Sequence, residues 1–206
     1  MTAISGTPVT SNLYSTVASL KTRLSISDTT DDTTLGLILT GVCRAIDAHT
    51  GRWFWRDTVA TTRYYTPKWT DILYTDPIVS VTNLYTDTAG DWTWATTWAA
   101  TDYTLMPWGA DASGWPYDRI SVTPNGNYSF SVNDKYVKLT AIFGWPSVPA
   151  PISEAALLWS ERLYKRKDAP FGILASIETG ELRLLKEMDP DVVTLLSPYK
   201  QLAYYL

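Results

Sequence analysis

The stretch DDTTLGLILTGVCRAIDAHTG, residues 31–51, decides the fold, because its apolar residues recur with the period of one helix face. These residues are Leu35, Ile38, Leu39, Val42 and Ile46. The acidic and hydroxyl side chains of residues 27–32 supply capping oxygens and negative charge for a helix amino terminus. Gly51 is a typical helix terminator. The stretch therefore predicts a helix over about residues 31–49.

The residues before this helix carry a second apolar period. Leu13, Val17, Leu20 and Leu24 recur at spacings of three or four, which predicts a first helix over residues 13–24. Residues 1–56 are therefore interpreted as the amino-terminal part of a helical bundle.

Residues 57–146 differ in composition, being dense in Thr, Val, Tyr and Trp and interrupted by turn residues such as Asp76-Pro77 and Trp108-Gly109. Side chains alternate over residues 78–85 and again over 136–142. This zone predicts an inserted, mostly antiparallel β domain of about four to seven strands.

Helical patterning returns in residues 147–188. Pro149 and Pro151 suit a first helical turn, so a helix is expected over residues 151–168, ending before Pro170. Residues 181–187 are helix formers that predict a fourth, short helix. The fold class is thus α+β: a bundle of three to four helices, an inserted β domain, and an extended or partly helical tail over residues 189–206.

Composition excludes several functional classes. The 206 residues include one histidine and one cysteine, and the net charge is -4. No basic domain indicates tight phosphate binding, and no glycine-rich phosphate loop, signal peptide or long apolar span is present. His49, at a predicted helix end, lacks a nucleophile motif, and Cys43 is interpreted as a small buried residue of a reducing compartment. We therefore expect no catalytic site, cofactor or metal.

Two segments are candidate contact sites. The tail offers apolar side chains for docking to a neighbouring protein: Val192, Val193, Leu195, Leu196, Tyr199, Leu202, Tyr204, Tyr205 and Leu206. A basic patch is a candidate charged contact, with a solvated helix end as the alternative: Arg162, Lys165, Arg166 and Lys167.

The aromatic residues of the β zone leave a further alternative open. Five tryptophans lie there: Trp92, Trp94, Trp98, Trp108 and Trp115. Exposed rings could stack on sugars in a carbohydrate-binding module, or they could pack a core or a subunit interface.

Two blocks of the sequence resemble one known family. Residues 20–54, with their Ala45-Ile46-Asp47 and Thr50-Gly51-Arg52 helix end, resemble the amino-terminal helices of tailed-bacteriophage head-to-tail connector, or neck adaptor, proteins. Residues 141–173 are similar to that family's Gly-Trp-Pro turn and following helix.

The resemblance implies a structural virion protein made in the host cytoplasm and placed at the head-tail junction. It implies a homo-oligomeric ring of about twelve copies on the portal protein, which extends the DNA channel and provides the attachment surface for a downstream neck, stopper or tail protein. Genomic DNA would pass through the lumen without sequence-specific binding, and no membrane is involved.

Overall fold

The chain divides into two units in the computed structural model, which describes residues 12–166, 173–175, 182–184 and 188–201. The first unit comprises Met1–Phe54 and Val148–Leu206, and the second comprises Trp55–Ser147. The second unit is therefore an insertion between the two halves of the first.

The amino-terminal half of the first unit contains helices α1 (Val17–Leu24) and α2 (Asp32–Thr50). The Thr16 hydroxyl accepts a hydrogen bond from the Ser19 backbone N–H at 3.0 Å and so caps α1, which begins four residues later than predicted from Leu13. Helix α2 ends where predicted, because Gly51 adopts a left-handed φ of 69° and its N–H donates to the Asp47 carbonyl.

Asp31 and Asp32, at the start of α2, make contacts with other helices. Asp31 occupies the N-cap position, but its side chain makes no capping hydrogen bond and instead accepts one from the Tyr164 hydroxyl. Asp32 forms an ion pair with Lys21 of α1 at 2.6 Å. The prediction of side-chain capping is thus wrong for Asp31, and the same charges join neighbouring helices.

The carboxyl-terminal half contributes α4 (Ala150–Lys165) and α5 (Pro190–Leu196), followed by a 3-10 turn at Ser197–Tyr199. Arg23 of α1 pairs with Glu154 and Glu161 of α4 at 2.6 and 2.7 Å. Helix α4 packs against α1, α2 and α5. The buried residues of these helices form the core: Leu20, Leu35, Leu39, Val42, Ile46, Ile152, Ala155, Ala156, Val192 and Leu196.

The helix predicted at residues 181–187 is wrong. Strand β8 (Leu182–Leu184) pairs antiparallel with β7 (Ile173–Ala175), with Leu174 opposite Arg183. Backbone pairing across the hairpin thus prevails over helix propensity, which is a weak preference that tertiary context overrides.

The second unit contains a six-stranded antiparallel sheet in the order β1-β6-β2-β5-β4, with β3 paired to the end of β2. The strands are β1 (Thr61–Tyr65), β2 (Ile72–Thr86), β3 (Thr96–Thr97), β4 (Tyr103–Met106), β5 (Tyr117–Val122) and β6 (Val137–Phe143). A one-turn helix, α3 (Ala110–Ser113), lies between β4 and β5. The predicted α+β class with an antiparallel β domain is confirmed.

One face of this sheet carries the hydrophobic core of the second unit. Central strand β6 alternates strictly between buried and half-buried residues, so Val137, Leu139 and Ala141 all face the core. Trp98 and Phe130 stack on each other with ring centroids 4.8 Å apart. The other side chains of β6 therefore lie on the opposite face, where Lys138 and Thr140 meet side chains of β1 and β2.

Candidate interaction surfaces

A row of aromatic and lysine side chains lies on the sheet face opposite the core. We call it the aromatic–lysine surface, and it comprises Tyr64, Tyr85, Trp92, Trp94, Lys135 and Lys138. Tyr64, Lys138 and Tyr85 lie side by side, because they are direct register partners on β1, β6 and β2.

Short ring and cation contacts hold these side chains together. The rings of Tyr64 and Trp94 have centroids 4.8 Å apart and are inclined by 48°. The Lys138 ammonium lies 5.6 Å from the Tyr85 ring and 5.8 Å from the Trp94 ring, and the Lys135 ammonium lies 5.4 Å from the Trp92 ring. Cations at this range are attracted to the ring faces, so the two charges have defined positions.

A buried aspartate builds the loop that presents Trp92. The Asp87 carboxylate accepts hydrogen bonds from the backbone N–H groups of Gly90, Asp91 and Trp92 at 2.9, 3.3 and 2.8 Å. The Trp94 indole N–H donates to the Lys135 carbonyl at 3.0 Å. The loop after β2 is therefore joined to the turn before β6 at one end of the sheet.

The backbone is strained at this surface. Trp92, Trp94 and Lys135 have φ values of 62°, 49° and 49°, a left-handed conformation that residues with a Cβ rarely adopt. Such strain persists only where surrounding contacts enforce it, and it concentrates at functional sites. Here the hydrogen bonds of Asp87 and Trp94 hold the backbone in this left-handed conformation.

Lys135 and Lys138 have no acidic partner among the described residues. Within the part of the chain that the structure describes, no ion pair involves Lys135 or Lys138, whereas Arg63 on the other side of β1 pairs with Asp57 and Asp76. The surface thus presents two uncompensated positive charges on an acidic chain.

A second exposed aromatic region, which carries acidic side chains, lies at the β4 end of the strand order. The β4–β5 connection, which we call the hairpin tip, carries Trp108, Asp111 and Trp115 and continues into Asp118 on β5. Trp108 is 77% exposed, and the Trp115 ring is fixed against the buried Trp145 ring at 4.9 Å. The aromatic–lysine surface lies on β1, β6 and β2, whereas the hairpin tip joins β4 to β5, so the two surfaces share no residue.

The five tryptophans singled out from the sequence thus have different roles. Trp98 belongs to the core, where its indole N–H donates to the Thr86 hydroxyl at 2.9 Å. Trp92 and Trp94 lie at one corner of the sheet, and Trp108 and Trp115 lie at the other. Local sequence does not distinguish these three groups, because the groups depend on which strands pair with each other.

The candidate docking tail is largely part of the first unit. Val192 and Leu196 are fully buried, and the Gln201 backbone N–H donates to the Thr50 carbonyl of α2 at 2.7 Å. Tyr199 packs edge-on against Phe54 at 5.7 Å. The prediction that these side chains are offered to a neighbouring protein is therefore wrong for Val192 and Leu196, which pack inside the first unit.

The remaining tail residues have mixed positions. Val193 is exposed and Leu195 is half-buried, whereas Leu202, Tyr204, Tyr205 and Leu206 lie outside the described residues. A docking role for the tail is thereby narrowed to Val193 and to the residues after Gln201.

The basic patch is partly neutralised by the chain itself. Arg162 forms ion pairs with Asp189 and, at 3.5 Å, with Asp191, which joins the end of α4 to the start of α5. Lys165 pairs with Glu161 at 2.6 Å, and this contact lowers the pKa of the Glu161 carboxyl. Arg166 is exposed, and Lys167 lies outside the described residues. The patch is thus a helix-joining element at Arg162, and it presents Arg166 to solvent.

Cys43 and His49, the two residues considered for chemistry in the sequence, both lie on helix α2. Cys43 is buried, as predicted, and its sulfur accepts a hydrogen bond from the Tyr14 backbone N–H at 3.3 Å, while burial raises the pKa of the thiol. His49 lies in the last turn of α2. Across the described ranges, no three His, Cys, Asp or Glu side chains are grouped to hold a metal ion, and no helix is long and apolar enough to cross a membrane.

Comparisons with known proteins identify one fold. No family model and no curated protein sequence matches the chain. A chain from the neck of an empty gene transfer agent (GTA) particle, computed with C6 symmetry, is 18% identical with a TM-score of 0.56, over 98% of this chain and 94% of that one. A chain from the native GTA neck, computed with C12 symmetry, is 19% identical with a TM-score of 0.54, over 98% and 93%. A chain of the native GTA virion is 19% identical with a TM-score of 0.51, over 98% and 95%. The chain therefore has the fold of a particle neck protein.

Proposed function

We propose that this chain is a structural subunit of a virion neck, located at the head-tail junction and assembled as a homo-oligomeric ring. The observation that carries the proposal is the fold similarity to GTA neck chains, which extends over both units and nearly the full length of each chain. Those necks were computed with C6 and C12 symmetry, which is compatible with a ring of identical subunits.

Within the neck, we propose the connector role that the two sequence blocks imply: a dodecamer seated on the portal protein, extending the DNA channel and attaching the next neck, stopper or tail protein. The resemblance of the two blocks to connector proteins supports this role, and in the structure Thr50-Gly51-Arg52 lies at the end of α2 while Gly144-Trp145-Pro146 precedes α4. A subunit with a net charge of -4 suits a conduit through which DNA passes without tight phosphate contacts. The role requires no catalysis.

The portal contact is assigned to the last residues of the chain. The Gln201 backbone N–H donates to the Thr50 carbonyl at the end of α2, and the apolar residues Leu202, Tyr204, Tyr205 and Leu206 follow Gln201 in the sequence. Removing residues 202–206 retains Val192 and Leu196, whereas removing residues 189–206 would delete part of the core.

The test is to mix purified protein with DNA-packed, tail-less heads, pellet the heads, and image the portal vertex by cryo-electron microscopy. We expect a stoichiometric, symmetric ring at that vertex. The variant truncated after Gln201 should remain folded but fail to add the ring. Absence of any ring with the full chain would contradict the proposed function, and a ring from the truncated chain would contradict the portal-docking role of the last five residues.

The carbohydrate-binding alternative is favoured by the exposure of Trp92 and Trp108, but the 48° tilt between Tyr64 and Trp94 does not give the flat platform on which a sugar chain stacks. A glycan array tests it, and specific hits that disappear with Trp92→Ala would establish it.

A further inference from the structure

The two corners of the sheet are complementary to each other. The aromatic–lysine surface offers Lys135 and Lys138 beside exposed rings, and the hairpin tip offers Asp111 beside the exposed Trp108. We infer that the aromatic–lysine surface of one copy binds the hairpin tip of the next copy, so that the inserted sheets contribute one of the contacts that close the ring. This inference rests on the proposed function and deepens it.

The positions of the two surfaces fit this type of contact. A ring needs a heterologous interface, in which two different patches of the same chain meet, and those patches must not overlap. The aromatic–lysine surface lies at the β1 side of the sheet, near the pair Tyr65–Val137, and the hairpin tip lies at the β4 side, near the pair Met106–Arg119. The same copy can therefore use both surfaces at once.

The charges favour a second copy as the occupant. Lys135 and Lys138 have no carboxylate partner among the described side chains, and the hairpin tip carries Asp111 without a cation paired to it. The nearby Arg119 pairs with Asp118 at 3.6 Å. Bringing the two corners together pairs charges that each copy leaves uncompensated, which gives specificity and register to an interface.

The aromatic residues supply the apolar part of the contact. Tyr and Trp are enriched at the core of protein–protein interfaces, and polar groups surround that core at the rim. Trp92 and Trp108 are 59% and 77% exposed, and both sit on loops held in place by Asp87 and by the Trp115–Trp145 contact. Their order in the free subunit reduces the entropy lost on association.

The test is a charge-reversal set in the full chain. Lys135→Glu with Lys138→Glu places like charges across the proposed contact, as does Asp111→Lys; each variant should raise the protein concentration for half-maximal ring formation on packed heads on the order of tenfold or more. Combining all three substitutions restores opposite charges and should recover most of the loss. Lys68→Glu, at an exposed lysine outside both surfaces and outside the carboxyl-terminal segment, is the charge control and should leave ring formation unchanged.

The outcomes separate the two proposals. If the wild-type chain forms no ring on heads, the proposed function fails and the interface fails with it. If the wild-type ring forms and the lysine reversal forms it equally well, the interface assignment is overturned while the neck role stands. If both reversals impair the ring but their combination does not recover it, these residues bind something other than each other, and the inference is also overturned. Circular dichroism of each variant verifies that the subunits are folded.

Discussion

Leu196 gives a sharp test of whether the carboxyl-terminal helix is core or docking surface. Its side chain has 0% exposure within the first unit, on a helix that Arg162 joins to α4. Truncation to Ala removes buried methyl groups and leaves a cavity, so Leu196→Ala should lower the free energy of unfolding by about 3 kcal/mol, within a range of about 2–5. Val193 is the matched control, because it lies on the same helix but is 38% exposed, and Val193→Ala should cost less than about 0.5 kcal/mol.

The assay is urea unfolding followed by the helical circular dichroism signal, which reports mainly on the first unit because α1, α2, α4 and α5 belong to it. With a urea dependence of about 1–3 kcal/mol per M, the expected loss lowers the midpoint by about 1–3 M. An unchanged midpoint combined with lost attachment to heads would refute the reasoning, since it would mean that Leu196 binds a partner and not the core.

Three further predictions test other parts of the fold. Hydrogen bonds from the Asn127 and Ala99 backbone N–H groups lower the pKa of the Asp102 carboxyl. The contribution of Asp102 to stability is therefore present above the unfolded pKa of about 3.9 and is lost as the pH falls through the folded pKa. Asp102→Asn should therefore flatten the acid limb of the stability curve, which urea midpoints against pH would measure; an unchanged acid limb would contradict it. Gly144→Ala should abolish soluble folded protein, because a Cβ there would lie 2.1 Å from the Trp55 carbonyl oxygen, whereas Gly41→Ala, with open space around its Cβ in α2, should raise the melting temperature. Arg162→Gln should speed amide hydrogen exchange in α5, which Arg166→Gln should not do, and the loss of stability should stay within about 1 kcal/mol because Arg162 is partly exposed; equal exchange in both variants would contradict the joining role.

The helices could largely be predicted from local sequence, because their signals are local. The apolar period from Leu35 to Ile46 predicts the buried face of α2. Gly51 predicts the end of the helix, because a residue in the left-handed conformation terminates the helical hydrogen bonds. The antiparallel sheet class followed in the same way from alternation over residues 78–85 and 136–142. The resemblance to neck proteins, based on two short blocks, agrees with the fold similarity to GTA neck chains.

The wrong predictions concern residues whose conformation or burial depends on contacts with other segments of the chain. Residues 182–184 are strand because residues 173–175 pair with them, and nothing local to either segment contains that pairing. Val192 and Leu196 looked unpartnered because their partners on α4 lie more than twenty residues earlier. The aromatic–lysine surface was missed for the same reason: Tyr64, Tyr85 and Lys138 become neighbours only through the register of three strands.

The way in which the chain enters and leaves the inserted sheet has an evolutionary consequence. The Asp57 N–H donates to the Phe143 carbonyl at 2.8 Å, and the Trp145 N–H donates to the Trp55 carbonyl at 3.3 Å. The first and last residues of the inserted unit are therefore hydrogen-bonded to each other. A segment with adjoined ends can be lengthened, shortened or exchanged by recombination without moving the helices that flank it in sequence, as is common for inserted domains. The inserted β domain can therefore change in sequence and length during evolution while the helices are retained, so that one set of helices serves proteins with different binding partners.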